Sequence, residues 1–167
     1  MKSTRGFTLI ELLIVIALLG ALAVGLLATI DPFEQLKKGR DTSTRNTVSE
    51  FYNANLRYYS TKSEWPWTVG SISTDLNEPS MASAITNLIN AGELKTGFNG
   101  YVGTGTLSQI YVTSTGLGDV HVCYMPQSKG FQLDPNTVFD KAGGTTIATC
   151  KALGGSGDTD PCYYCIQ

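Results

Sequence analysis

The chain has 167 residues, with 12 basic and 14 acidic side chains and a formal net charge of −2 at pH 7. This balance excludes the broad basic surface that nucleic-acid binding requires, so we expect no nucleic-acid partner for the bulk of the chain. There is one histidine, His121, in a predicted strand, and no serine-hydrolase, zinc-protease or phosphate-loop motif. We therefore expect neither an enzyme nor a cofactor, and a structural role for His121.

The first thirty residues carry the strongest signal in the sequence. A basic leader ends at Gly6, and the apolar stretch Phe7–Ile30 that follows contains a single charged side chain, Glu11. As a helix, this stretch would span about 36 Å, enough to cross a bilayer core of roughly 30 Å. A carboxylate within it costs about 2.5–3.5 kcal/mol on insertion. The pattern predicts a transmembrane helix, a cytoplasmic leader, and a Glu11 that needs a partner.

The segment RGFTLIELL, from Arg5 to Leu13, resembles the N-terminus of type IV pilins and pseudopilins. It combines a glycine before the cleavage point, an aromatic new N-terminus and a glutamate four residues later. The resemblance implies that a prepilin peptidase cuts between Gly6 and Phe7 and methylates the Phe7 amine. The alternative is an ordinary membrane anchor with a chance glutamate. A secretory signal is disfavoured because its cleavage site would follow the apolar stretch.

The resemblance also implies a function. The subunit would wait in the cytoplasmic membrane as a single-pass precursor, and an assembly platform would lift it into an extracellular, homo-oligomeric helical filament. A neighbouring Phe7 ammonium would neutralise Glu11, and this pair would set the register of the subunits. Two alternatives stay open: a pseudopilin of a type II secretion system, and a minor tip pilin that binds DNA or a surface ligand.

We predict three segments: a leader at 1–6, a transmembrane and fibre-core helix at 7–30, and an extracytoplasmic domain at 31–167. The pair Asp31-Pro32 predicts a break and kink, since proline cannot donate the helical hydrogen bond. The helix should resume with an amphipathic second half. Its apolar stripe is predicted at i, i+4, i+8 and i+11, which are Val48, Tyr52, Leu56 and Tyr59.

The rest of the chain predicts an α+β domain. Pro79–Lys95 reads as a short helix with Gly92 as its cap. Three short β-branched or aromatic runs predict strands at Gln109–Thr113, Asp119–Met125 and Gly130–Leu133. We expect an antiparallel meander packed on the second half of the long helix. The cluster Trp65-Pro66-Trp67 should pack over the end of the core, and an adhesive or membrane-contacting surface is the alternative.

Four cysteines lie near the C-terminus: Cys123, Cys150, Cys162 and Cys165. An even number outside the cytoplasm favours disulfides over a zinc or redox site. Three pairings are possible, and joining Cys123 to Cys165 and Cys150 to Cys162 would tie a glycine-rich stretch to a strand. The pilin resemblance also implies cysteine-stapled C-terminal loops. Asp158 and Asp160 are weak calcium candidates, because two carboxylates in a glycine-rich loop more often form a turn.

Overall fold

The computed structural model describes residues 6–29, 31–67, 70–116, 118–144 and 162–167. The chain divides into two compact units, Met1–Gln35 and Leu36–Gln167. Helix α1, Leu9–Thr29, belongs to the first unit. Helix α2, Pro32–Lys62, begins there and supplies most of its length to the second unit.

The second unit combines helices with one antiparallel sheet, as the sequence predicts, and the chain is α+β. The helices after α2 are α3, Pro79–Asn90; α4, Phe98–Val102; α5, Thr104–Leu107; and α6, Lys129–Gln132. The strands are β1, Ile72–Asp75; β2, Ile110–Ser114; β3, His121–Tyr124; β4, Thr137–Phe139; and β5, Tyr163–Ile166. The sheet order is β1-β2-β3-β5-β4, and every neighbouring pair is antiparallel.

The predicted break at Asp31-Pro32 is confirmed, since α1 ends at Thr29 and α2 begins at Pro32. The Asp31 carboxylate accepts the backbone N–H groups of Phe33, at 3.1 Å, and Glu34, at 3.2 Å. Pro32 occupies the first helical position, where its missing N–H has no intrahelical partner to lose. Asp31 therefore caps α2, and the same two residues that stop one helix start the next.

The predicted apolar stripe on α2 is wrong apart from Val48. Leu56 and Tyr59 are 39% and 36% exposed, and Tyr52 is only half-buried. The row that faces the core is instead Asp41, Thr44, Val48, Phe51, Asn55 and Tyr58. Several members of this row are polar, so a search for apolar periodicity settles on the neighbouring row. The Asn55 amide donates to the Phe51 carbonyl, at 2.7 Å, within the helix, while its buried Oδ1 atom accepts no hydrogen bond from the described residues.

The strands at Gln109–Thr113 and Asp119–Met125 are confirmed as β2 and β3, and the helix at Pro79–Lys95 as α3, although α3 ends earlier. Of the strands predicted for the meander, only β2 and β3 are observed, and they are adjacent and antiparallel. Strands β1, β4 and β5 were not predicted. Strand β5 inserts between β3 and β4, so the last strand in the chain lies inside the sheet and β4 lies at its edge.

The predicted strand at Gly130–Leu133 is wrong, because most of it forms α6. Two interactions favour a helical turn there. The Ser128 hydroxyl accepts the Phe131 N–H at 3.4 Å, which caps the turn. Just before it, the buried Asp41 carboxylate accepts the N–H groups of Gln127, at 2.9 Å, and Ser128, at 2.7 Å. These hydrogen bonds hold the chain in a turn. The local pattern of apolar residues, from which a strand was predicted, does not indicate them.

The two tryptophans pack at the end of the core, as predicted. Trp65 is 9% exposed and Trp67 is 6% exposed. Their rings stack with centroids 5.2 Å apart, and Tyr59 stacks on Trp65 at 4.4 Å. The core that they extend is made of apolar side chains from α2, α3, α4 and the inner sheet face, among them Phe51, Leu88, Phe98, Ile110, Val122 and Tyr124.

Candidate functional site

Helix α1 presents an apolar surface on all of its sides. The span Leu9–Leu27 is long and apolar enough to cross a membrane, by length and composition, and none of it is buried in the chain. Its large apolar side chains are between 46% and 82% exposed. Such a surface is unstable in water, so it must be covered by lipid or by apolar helices of other chains.

Glu11 lies in the first turn of this helix and forms a reciprocal cap with Thr8. The Glu11 Oε2 atom accepts both the Thr8 backbone N–H and the Thr8 hydroxyl, each at 2.8 Å. In return, the Thr8 Oγ1 atom accepts the Glu11 N–H at 3.3 Å. This is a capping box, in which the side chain of each residue accepts the backbone N–H of the other, so that two otherwise unpaired donors at the start of the helix are satisfied.

The capping box orients the Glu11 carboxylate but does not neutralise it. Both bonds fall on one oxygen, and within residues 6–29 and 31–35 no cationic group forms an ion pair with Glu11. The other carboxylate oxygen, Oε1, accepts no hydrogen bond from the described residues, so the carboxyl group of this apolar span can bind a further donor. Thr8 was not among the predicted site residues. The signal that would have found it is the spacing T-x-x-E directly before an apolar run.

Gly6 and Phe7 precede α1 and lie outside regular structure. A Cβ added to Gly6 would meet no described atom within 4 Å, and Phe7 is 84% exposed. The fold of the described chain therefore places no demand for glycine at position 6. Contacts within the described residues do not explain why position 6 is glycine, and its role in cleavage stays a prediction.

The C-terminal cysteines are partly described. Cys123 and Cys165 are disulfide-bonded, and they lie opposite each other on β3 and β5 with their Cα atoms 4.1 Å apart. Cys162 is buried just before β5. Cys150, Asp158 and Asp160 lie outside the described residues, so the pairing of Cys150 with Cys162 stays a prediction. The disulfide cross-links the inserted strand β5 to the centre of the sheet.

The segment that follows β4 crosses directly over this disulfide. A Cβ added to Gly143 would lie 2.9 Å from the Cys123 sulfur and 2.8 Å from the Cβ of His121, and the φ of Gly143 is +78°. Only glycine fits such an approach. His121 contacts Gln167 through Nδ1, at 2.9 Å, and lies 3.7 Å from an Asp119 oxygen through Nε2. Its contacts tie the last residue of the chain to β3.

We expect loss of the Cys123–Cys165 disulfide to lower the free energy of unfolding by about 2–4 kcal/mol. The bond closes a loop of 42 residues, so without it the unfolded chain gains conformational freedom. The measurement is chemical denaturation of a soluble version lacking residues 1–30, comparing wild type with Cys123→Ala/Cys165→Ala. Peptide mapping without reductant should show no free thiol. Stoichiometric zinc bound to this protein would contradict the disulfide assignment.

Two carboxylates favour the folded state only when they are ionised. The Asn136 backbone N–H and the Arg45 guanidinium hold the pKa of Asp134 below its ordinary value of 3.8. The Thr115 hydroxyl does the same for the pKa of Asp119. A group whose pKa is lower in the folded state stabilises folding above its unfolded pKa, and this contribution is lost as the pH falls through the folded pKa.

We therefore expect the free energy of unfolding to fall as the pH drops below about 4. Asp134→Asn should remove roughly 0.5–1 kcal/mol at neutral pH, because it breaks the 3.2 Å ion pair with the partly exposed Arg45. The substitution should also make the free energy of unfolding depend less on pH below about 4. Denaturation curves recorded between about pH 2 and pH 7 measure both effects. If the Asp134→Asn protein lost as much free energy of unfolding at acid pH as wild type does, this assignment would be contradicted.

The comparisons with known proteins concern the first unit. A family model described as the prokaryotic N-terminal methylation motif matches residues 1–27. Neither the curated proteins nor the solved structures contain a significant match to the chain. The matched residues include the predicted cleavage point, Thr8, Glu11 and most of α1. The N-terminus of this chain is therefore the prokaryotic methylation motif that is the signature of the type IV pilins and pseudopilins.

Proposed function

We propose that this chain is a structural subunit of a type IV pilus-like surface filament. In this proposal a prepilin peptidase cuts between Gly6 and Phe7 and methylates the new amine. The observation that carries the proposal is α1 itself: an apolar helix exposed on all sides, with one un-neutralised carboxylate four residues after the new N-terminus. The match to the methylation motif supports it.

The apolar span explains the membrane stage. Nineteen residues from Leu9 to Leu27 extend about 28 Å as a helix, close to a hydrocarbon core of about 30 Å. Lys2 and Arg5 would hold the leader on the cytoplasmic side. Residues 31–167 would then lie outside the cytoplasm, where cysteines oxidise, and the Cys123–Cys165 disulfide fits that compartment.

The Glu11 carboxylate explains the assembly stage. In a bundle of α1 helices, apolar surfaces cover one another, and a lone carboxylate would be costly to bury. The ammonium group created at Phe7 of a neighbouring subunit supplies the counter-charge. Because Thr8 bonds to one oxygen of the carboxylate, Glu11 is held near the start of the helix and can still accept from this ammonium. The Glu11 carboxylate and the neighbouring Phe7 ammonium are both paired in only one register of the two subunits.

A second candidate is a pseudopilin of a secretion system, which forms a short fibre that is not displayed at the surface. The methylation motif favours it equally, because the motif is shared by pilins and pseudopilins. A minor tip subunit differs from both in abundance rather than in its N-terminus.

Abundance in sheared surface material separates these candidates. We expect this chain to be the predominant protein of fibres sheared from cells, as measured by quantitative mass spectrometry. A trace amount within fibres made of another subunit would indicate a tip protein. Complete retention in the membrane fraction, with secretion lost when the gene is deleted, would indicate a pseudopilin and contradict the surface-filament proposal.

A further inference from the structure

We call residues 36–40 of α2 the overhang, because they precede the part of the helix that packs on the core. From Asp41 onward, one row of α2 is buried. Lys37 and Arg40 lie seven and four residues before Thr44, a member of that row, so they continue it along the helix. Both are exposed, and Leu36 beside them is 64% exposed. The described residues of the second unit therefore cover the row from Asp41 onward and leave it open on the overhang.

The overhang carries three basic side chains, Lys37, Lys38 and Arg40, and none of them forms an ion pair with a described residue. Lys38 is half-buried against α6, since a Cβ on Gly130 would lie 3.2 Å from its Cε atom. The carboxylate beside this cluster, Asp41, is 2% exposed, and its oxygens accept N–H groups from the turn before α6. The overhang is thus a cluster of positive charge whose neighbouring carboxylate is already occupied.

A polar cleft of about 330 Å³ opens where the overhang meets the rest of the second unit. Helix α2 contributes Arg40, Ser43 and Thr44 to its lining, α5 contributes Thr106, and Gln109 lies just before β2. The volume is at the small end of the range of roughly 300–1,000 Å³ that small-molecule sites occupy. The cleft therefore suits a compact polar group rather than a large ligand.

The lining of this cleft is rich in hydrogen-bond donors. Within the described residues, neither the Arg40 guanidinium nor the hydroxyls of Ser43, Thr44 and Thr106 have a hydrogen-bond partner. The acidic member of the described lining is Asp41, whose oxygens are occupied as described above. A guanidinium surrounded by hydroxyl donors is matched by an anion with several acceptor oxygens, as in a phosphate group.

Chain length places the overhang near the membrane surface. Its first residue lies nine residues after Leu27, the end of the apolar span. With α1 ending at Thr29 and α2 beginning at Pro32, Lys37 can lie at most about 20 Å beyond Leu27, however the two units are arranged. An α2 inclined to the membrane normal brings Lys37 to the level of the headgroups. Nearer to the span, the Asp31 carboxylate is engaged as the cap of α2, where the positive end of the helix dipole offsets its charge.

We propose that the overhang and its cleft bind the headgroup of an anionic phospholipid. The phosphate accepts hydrogen bonds from Arg40 and the cleft hydroxyls, and Lys37 and Lys38 add positive charge. A zwitterionic headgroup brings its own ammonium, for which the described lining has no unoccupied carboxylate. The site therefore selects the anionic headgroup, and the bound lipid holds α2 inclined toward the membrane. This inference rests on the proposed membrane stage.

Native mass spectrometry of the full chain, released from micelles of a non-ionic detergent, counts the lipids that stay bound. The chain is titrated with phosphatidylglycerol and, separately, with phosphatidylcholine of the same acyl chains. We expect a Kd for phosphatidylglycerol that is at least about tenfold lower. Glycerol 3-phosphate separates a lipid from a free phosphate ligand, and it should not displace the lipid at equal concentration because it has no acyl chains. Equal affinity for the two lipids, or displacement by glycerol 3-phosphate, would overturn the proposal.

The variant Lys37→Gln/Arg40→Gln should weaken phosphatidylglycerol binding roughly 10- to 30-fold, since it removes two charges from the site. Lys62→Gln/Lys95→Gln is the matched control: it removes two exposed charges that do not line the cleft, and it should bind as wild type does. The leader is the same in every chain, so its basic residues do not affect the comparison. Unchanged binding by Lys37→Gln/Arg40→Gln, or an equal loss in the control, would overturn the proposal.

The Lys37→Gln/Arg40→Gln chain also separates a lipid from a second copy of the subunit. If it kept its lipid affinity and lost fibre yield, the overhang would contact an acidic surface of a neighbouring subunit, and the lipid proposal would be wrong. The titration itself requires neither cleavage nor assembly. Alkaline extraction of cell membranes tests the membrane stage separately, because release of the chain would contradict that stage and this inference together. A retained chain without the lipid preference would contradict this inference alone.

Discussion

The substitution Glu11→Val should abolish filament assembly or reduce it sharply while leaving membrane insertion intact. Insertion should improve slightly, because the carboxylate costs about 2.5–3.5 kcal/mol in the apolar span. Assembly should fail because the Phe7 ammonium then enters the helix bundle unpaired, and breaking one side of a buried ion pair costs about 3–5 kcal/mol. Glu11→Gln should be intermediate, since it keeps the acceptor for Thr8 and loses the charge.

The measurement is the amount of fibre sheared from cells, normalised to the subunit in the membrane fraction. Glu34→Val is the matched control: it removes a carboxylate from the first turn of α2, outside the apolar span, and should assemble far better than Glu11→Val. The variants must be expressed without wild-type subunits, which could carry them into mixed fibres. Wild-type yield from Glu11→Val would show that this carboxylate does not govern assembly.

The substitution Gly6→Val should block processing and leave the leader attached. Nothing described in the chain lies within 4 Å of a Cβ at this position, so the substitution should not disturb the fold. The loss should instead arise where a peptidase must approach the backbone closely and a branched side chain does not fit. Gly25→Val is the control, because a Cβ there also meets nothing within 4 Å while the position lies far from the cleavage point.

Gel mobility and intact mass of the membrane-bound subunit distinguish the two forms. We expect the Gly6→Val chain to retain residues 1–6 and to be absent from fibres, and the Gly25→Val chain to lose its leader. Normal removal of the leader from Gly6→Val would show that glycine at this position is not what the processing step requires.

Sequence reasoning was most successful where few residues decide the outcome locally. Asp31 and Pro32 specify a helix start by themselves, and Pro79 with Gly92 frames α3 in the same way. The N-terminal site is also local, because Gly6, Phe7 and Glu11 fall within six consecutive residues. Thr8 belongs to this site too, and its spacing from Glu11 was visible in the sequence.

Most of the wrong predictions concern segments whose structure depends on residues that are distant in the sequence. Asp41 on α2 fixes the turn before α6 through residues 86 and 87 positions away, which no local pattern around Gly130 reveals. The insertion of β5 between β3 and β4 is likewise non-local: its four residues pair with strands whose positions depend on the whole sheet. The core-facing row of α2 escaped detection because Asp41, Thr44 and Asn55 belong to it.

The central claim is that α1 becomes the N-terminus of an assembled subunit, and the N-terminal mass of protein recovered from sheared fibres tests it most directly. Digestion and mass spectrometry should find a peptide that begins at Phe7 and carries one added methyl group on its amine. The same material should contain no peptide that spans Gly6 and Phe7. Fibres whose subunits retain the leader, or begin at any other residue, would contradict the account.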